Sequence, residues 1–139
     1  MKKLVNLVGV LVIKDNKILL GLRNKHYEQR DEEVWALPGG KVRRGQTLEQ
    51  FGILQVKIET NIDVEEIKVF SLQKSTNRFT DFVRIGMIAE KYSGEIKIME
   101  PYKILRWEWF DINEIPENMF FPSKKILEKY KEGLFYKEV

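Results

Sequence analysis

Apolar and polar positions alternate in blocks along the chain, and each change of pattern marks an element. Leu4 to Ile13 is aliphatic and rich in β-branched residues, which predicts a first strand, with Gly9 allowing close backbone approach. Asp15-Asn16 predicts a turn, and Lys17 to Arg23 the returning strand of a hairpin. Asn24 to Glu33 is polar and charged, hence a surface loop. Val34 to Leu37 is a short extended run that stops at Pro38-Gly39-Gly40, where Pro lacks a donor and Gly permits unusual φ, so the chain is expected to turn. After a second turn at Gly45, Thr47 offers a capping hydroxyl, and a helix is predicted to about Thr60 with Asn61 as its left-handed stop.

Beyond that helix the pattern becomes extended again over Val64 to Lys74, Phe79 to Tyr92 and Lys103 to Asp111. Asn77 and Ser93-Gly94 supply turns, giving an antiparallel reading for the first pair. Glu114-Ile115-Pro116 closes the last strand. Phe120-Phe121-Pro122 leads into a helix from Ser123 to Lys131, with Ser123 as its expected N-cap and Ile126, Leu127 and Tyr130 on one face.

Composition narrows the class. The 139 residues suffice for one domain with a real core, and no apolar run is long enough to span a membrane. The basic start Met1-Lys2-Lys3 followed by an apolar run has the outline of a signal peptide. It is interrupted by Asn6 and lacks a small-residue cleavage site, so it reads as the first strand. The absence of cysteine excludes disulfides and thiolate chemistry and agrees with a cytoplasmic location. Net charge is +3 with acids and bases interspersed, which makes a nucleic-acid partner unlikely by composition. Lys124, Lys125, Lys129 and Lys131 alternate with Glu128 and Glu132 as a solvated helix face. His26 lies in the polar loop and reads as solvated.

The candidate chemistry lies in residues 35–62, W-A-L-P-G-G-K-V-R-R-G-Q-T-L-E-Q-F-G-I-L-Q-V-K-I-E-T-N-I. Their frame resembles the Nudix box, G-x5-E-x7-R-E-U-x-E-E-x-G-U, with Gly40 as its first glycine and Ile62 as its last aliphatic. Val56, Glu59 and Ile62 match. Gln46, Leu54, Gln55, Ile58 and Asn61 stand where that pattern has Glu, Arg, Glu, Glu and Gly. The order of elements is similar to the Nudix α/β/α sandwich with a mixed sheet, an α/β fold in a single domain over residues 1–139. E-P-Y-K-I-L-R-W-E-W-F-D-I-N-E-I-P looks like the stretch before the last helix of Nudix pyrophosphohydrolases of the oxidised-dGTP and dCTP type.

The resemblance implies hydrolysis of nucleoside di- or triphosphates with Mg²⁺ or Mn²⁺. Positions 55, 58 and 59 share one helix face and would project toward the glycine loop. In the family all three are glutamates, with the Gly40 carbonyl as a further metal ligand. Here the face carries Gln55, Ile58 and Glu59. Gln55 keeps an oxygen without charge, Ile58 offers no ligand, and a single carboxylate rarely holds Mg²⁺ without substrate phosphates. Weak or absent metal binding is therefore expected, with Glu59 and Gln55 as the catalytic remnant and Glu100 as the nearest compensating carboxylate. Arg23, Gly39, Gly40, Lys41, Arg43 and Arg44 are the expected phosphate contacts. By resemblance Phe121 is the expected aromatic against a base, with Phe120 beside it; Trp107 and Trp109 share a strand face and at least one is expected in the core.

Three functions follow. One is a protein on this fold that binds a nucleotide or other phosphorylated small molecule, with hydrolysis weak or lost. A second is an active Mg²⁺-dependent enzyme using Glu59 and compensating carboxylates. The third is a protein-interaction module on the same scaffold; a homodimer is compatible with each.

Overall fold

A computed structural model describes residues 2–133. Its elements in chain order are β1 (Lys3–Leu11), β2 (Ile13–Lys14), β3 (Lys17–Arg23), α1 (Lys25–Glu28), β4 (Val34–Ala36), β5 (Gly39–Lys41), α2 (Leu48–Thr60), β6 (Asp63–Thr76), β7 (Thr80–Ser93), β8 (Ile104–Asp111) and α3 (Phe121–Glu132). One sheet has the order β5-β1-β7-β6; in the second, β3 pairs with β2, β4 and β8. Most pairings are antiparallel, but β1 runs parallel to β7 along its whole length, from Lys3↔Thr80 to Leu11↔Ile88. The first sheet is therefore mixed, as expected for the α/β fold. Among the described residues, no helix is long and apolar enough to cross a membrane.

Alternation along β1 explains the layering. Val8, Val10 and Val12 pack with Phe51 and Val56 of α2, and with Ile85, Met87 and Ala89 of β7. On the opposite face, Leu11 joins Ile126 and Leu127 of α3 with Ile18, Leu20 and Phe70. A side chain at Gly9 would meet Ile126 Cδ1 at 2.8 Å, so the glycine lets α3 approach. Period-two alternation thus sends successive residues of one strand into two cores, with a helix over each. Both Trp107 and Trp109 pack against the first of these cores.

The predicted hairpin is much shorter than expected. Only Ile13–Lys14 pairs with Lys17–Ile18, across the left-handed pair Asp15 (φ 50°) and Asn16 (φ 63°), residues that tolerate that region. β1 itself leaves for the other sheet, because its long aliphatic run is satisfied by β7 rather than by β3. The polar stretch expected as loop contains the single-turn α1, capped by Asn24, whose side chain accepts the His26 N–H at 3.0 Å.

Two local expectations are corrected. Gly39 and Gly40 do not form a turn but extend as β5 against β1, with Gly39 opposite Gly9 and Gly40 opposite Val8. A Cβ at Gly39 would lie 1.9 Å from the Val8 carbonyl oxygen, so the glycine serves close approach. Ser123 is not the cap of α3, which begins at Phe121 with Pro122 in its first turn. The Ser123 hydroxyl is buried and accepts the Leu37 N–H at 3.0 Å, joining α3 to the end of the β4 segment. Leu37 has little alternative, since Pro38 interrupts the ladder just beyond it.

Ser123→Ala is expected to lower stability by about 1–3 kcal/mol, as for a buried donor left unpaired. Urea denaturation measures the loss. Hydrogen exchange should show the Leu37 amide losing protection while the first-turn amides of α3 are unchanged; loosening of α3 instead would support the capping role.

Candidate functional site

Helix α2 is set by its ends. Thr47 and Gln50 form a reciprocal capping box, with Gln50 N–H donating to Thr47 Oγ1 at 3.1 Å and Thr47 N–H to Gln50 Oε1 at 3.0 Å. At the other end Asn61 takes the left-handed stop (φ 71°). Between them Phe51, Gln55 and Glu59 recur every four residues and form one buried stripe. That stripe faces a cavity of about 460 Å³ beside β5.

Arg23 at the end of β3, Gly39, Gly40, Lys41 and Arg43, Lys103 and Trp107 around the start of β8, and Phe120 ahead of α3 also line it. Of the predicted site residues, Glu59, Gln55, Arg23, Gly39, Gly40, Lys41, Arg43 and Phe120 are brought together here. The others are not. Arg44 is exposed outside the cavity, and Phe121 turns away from it with 55% of its surface exposed. Glu100 is half-buried and does not line the cavity. Ile58 was expected to share the cavity face with Gln55 and Glu59; it lies to the side, half-buried, because the helical step carries it off the 51-55-59 stripe.

Glu59 is the carboxylate of this wall. It is 5% exposed, and its Oε2 accepts the Gly39 N–H at 2.8 Å. Burial pushes its pKa up to about 7, against the opposing pull of the Gly39 hydrogen bond and the positive charges of Lys103 and Arg23; the negative charge of Glu100 adds to the rise. Glu100 has its own strain: Oε1 is buried without a partner among the described residues, while Oε2 accepts the Tyr102 hydroxyl at 3.2 Å.

Arg23 is held from two sides. Its Nε donates to Glu28 Oε1, and its guanidinium lies 4.1 Å from the centre of the Phe120 ring. Arg30 donates to the other Glu28 oxygen at 2.8 Å and sits 5.1 Å from the same ring. Burial pushes the Glu28 carboxyl up, yet the hydrogen bonds and charges of the two arginines outweigh it and hold the group below its usual value. The turn of α1 thereby anchors one cationic wall of the cavity.

Lys103 and Phe51 were not singled out in the sequence, and Trp107 was expected only as a core residue. Lys103 carried no motif; its place is set by the backbone, because Asn24 N–H donates to the Lys103 carbonyl at 2.9 Å and Asn24 Nδ2 to the Tyr102 carbonyl at 3.0 Å. Phe51 could have been found from its four-residue spacing to Gln55 and Glu59. Among the described residues, no three acidic or histidine side chains cluster as a metal site.

Comparison with known proteins agrees with this architecture. The NUDIX domain family matches residues 3–130. An ADP-ribose pyrophosphatase of Methanocaldococcus jannaschii is 30% identical over 125 residues, covering 88% of this chain and 70% of that protein. An NAD-capped RNA hydrolase, NudC, of Vibrio atlanticus is 31% identical over 108 residues, 78% of this chain but only 38% of its own length. A crystal structure of a MutT NUDIX hydrolase from Burkholderia pseudomallei superposes with a TM-score of 0.79 at 23% identity, covering 91% of this chain and 98% of that one.

The raised Glu59 carboxyl has a consequence for stability. Between the usual value of 4.5 and about 7, the folded state holds a proton that the unfolded state releases. Its stabilising contribution is complete below the unfolded value and is lost as pH rises through the folded one. Glu59→Gln, whose amide oxygen can still accept from Gly39, should match the parent near about pH 4 and exceed it by on the order of 2–3 kcal/mol near about pH 8. Chemical denaturation across that range tests this; an unchanged slope would mean that Glu59 titrates as a solvated acid.

Proposed function

The chain belongs to the NUDIX domain family, and from that premise we propose that it binds a nucleotide or related phosphorylated ligand in the α2–β5 cavity, with diphosphate hydrolysis weak or lost. The observation that carries this reading is the charge of the wall. Four cationic side chains, Arg23, Lys41, Arg43 and Lys103, line the cavity against one carboxylate, Glu59. Near neutral pH that carboxylate is close to half protonated, given a value of about 7. Such a wall attracts phosphate oxygens directly, through charge-assisted hydrogen bonds from ammonium and guanidinium groups.

The same wall suits a divalent cation poorly. Mg²⁺ and Mn²⁺ are held by oxygen ligands, carboxylates above all. Glu59 has one oxygen on Gly39, and its burial favours the protonated form. Gln55 and Gly40 bring neutral oxygens only, and Arg23 and Lys103 repel a cation from the same space. These residues do not fit a tightly held metal.

A second reading, metal-dependent hydrolysis, is favoured by one observation. Glu100 bears a buried oxygen without a partner among the described residues, and its charge is felt by Glu59. Together with substrate phosphates the two carboxylates would supply more of a donor set than Glu59 alone. Lys103, held just after Glu100 and lining the cavity, opposes that use.

ADP-ribose is a suitable probe, since the Methanocaldococcus relative is named for it. In excess chelator, calorimetry should show ADP-ribose binding that weakens as salt is raised. Lys103→Ala and Arg43→Ala should each weaken it by about tenfold, the loss of a charge-assisted hydrogen bond, whereas Arg44→Ala should change it little. Binding that requires Mg²⁺, with turnover abolished by Glu100→Gln, would favour the enzyme reading instead.

A further inference from the structure

The first sheet outruns the helix that covers it. β6 and β7 are each 14 residues long, about 45 Å of strand, whereas α2 has 13 residues and spans about 20 Å. Because α2 leads directly into the start of β6, its cover ends well short of the β6–β7 turn. The register shows which residues lie past it. Ile85 of β7 packs in the core under α2, and Asp81, four residues earlier on the strand, lies on the same face. Leu72 is the partner of Ile85 and Leu4 the partner of Asp81, so both leucines belong to the α2 face. They are nonetheless 44% and 62% exposed, and Phe79, in the turn between β6 and β7, is 72% exposed.

The charges at this end are mostly of one sign. Lys2 and Lys3 precede Leu4, Lys74 shares the α2 face with Leu72, and Arg78 precedes Phe79; all four cations are exposed, against the single carboxylate of Asp81. Lys2 lies 3.7 Å from Asp81. Among the described residues, Lys3, Lys74 and Arg78 form no ion pair. Arg78 rests 5.5 Å from the centre of the Phe79 ring and leaves most of it in solvent. The whole chain carries only +3, so this end holds a disproportionate share of its positive charge. A second copy of the same surface would bring like charges together, and leucine side chains offer no planar face to a nucleic-acid base. Cations set around exposed apolar side chains suit an anionic layer with hydrocarbon beneath it.

We infer that this end of the sheet is a peripheral docking surface for a bilayer with anionic headgroups. Leu4, Leu72 and Phe79 enter the boundary between headgroups and acyl chains, while Lys2, Lys3, Lys74 and Arg78 meet headgroup phosphates and carboxylates. The contact lies on the membrane and does not cross it. It is independent of the cavity reading and asks nothing of Glu59, Arg23 or Lys103.

Co-sedimentation of the full chain with vesicles tests this, comparing phosphatidylcholine alone with phosphatidylcholine mixed with phosphatidylserine. The protein should pellet with the mixed vesicles only, and less so as salt is raised. Lys74→Glu should weaken partitioning at least about fivefold, the contribution of one cation near an anionic surface. Lys131→Glu makes the same charge change on the exposed face of α3 and should alter it little. Phe79→Ser should weaken partitioning by about tenfold through lost apolar burial, and Phe79→Trp should preserve it. All these side chains are exposed, so urea denaturation of each variant should match the parent. Absence of binding to the mixed vesicles overturns the surface, as does equal loss in Lys74→Glu and Lys131→Glu, or undiminished binding by Phe79→Ser. Binding of a single-stranded oligonucleotide but not vesicles, or a dimer that Phe79→Ser dissociates without vesicle binding, overturns it in favour of another partner.

Discussion

The approach of Gly39 to Val8 is the constraint on which the rest of the site depends. The backbones lie so close that a Cβ at Gly39 would overlap the Val8 carbonyl, and only glycine permits the contact. Because β5 can sit there, it extends the mixed sheet by one strand along Leu7–Gly9 of β1. The Gly39 N–H is then free to point across to α2, where it meets Glu59. Helix α2 is aimed by its own caps, but its distance from the sheet edge is fixed by this hydrogen bond and by Phe51 in the core. The cavity is the space left between a helix and a glycine strand that cannot move closer.

Electrostatics in that space follow from burial more than from the count of charges. Glu59 is buried and would be costly as a lone anion, so its proton is retained toward neutral pH. The cationic side is differently arranged. Arg23 is charge-compensated by Glu28, stacked on Phe120 and fixed in direction, whereas Lys41 and Arg43 are exposed on the far rim. A fixed cation at the back and solvated ones at the front are the arrangement that the proposed phosphate binding would use. Compensation by Glu28 also limits the Coulombic gain from Arg23, leaving Lys103 as the stronger inner attractor.

Much of this organisation was legible in the sequence because it is local. The N-cap at Thr47, the left-handed stop at Asn61 and the antiparallel pair β6 and β7 each depend on residues close together in the chain. So does the approach of Gln55 and Glu59 to the glycines, since helix period and loop length decide it. Long-range choices were not legible. That β1 would leave its neighbour β3 and run parallel to β7 depends on which of two aliphatic surfaces covers it better, and the pattern of β1 suits both. Ser123 looked like a cap because serine before a helical pattern usually is one; the unpaired Leu37 amide, far away in sequence, claimed its hydroxyl instead. Lys103 had no signal, because its position comes from Asn24 holding two carbonyls of its loop.

The neighbours Phe120 and Phe121 show where residue type stops being informative. Both are aromatic, both precede or open the same helix, and either could serve a planar ligand. Their directions differ because Phe120 still has extended backbone (φ −58°, ψ 126°), whereas Phe121 is the first helical residue. One ring falls on the cavity side beneath Arg23 and the other beside Arg84. Pro122, which cannot donate a ladder or helix hydrogen bond, fits at this first turn and forms part of the wall between them. A single helix start thus supplies two aromatic surfaces, each with an arginine over it.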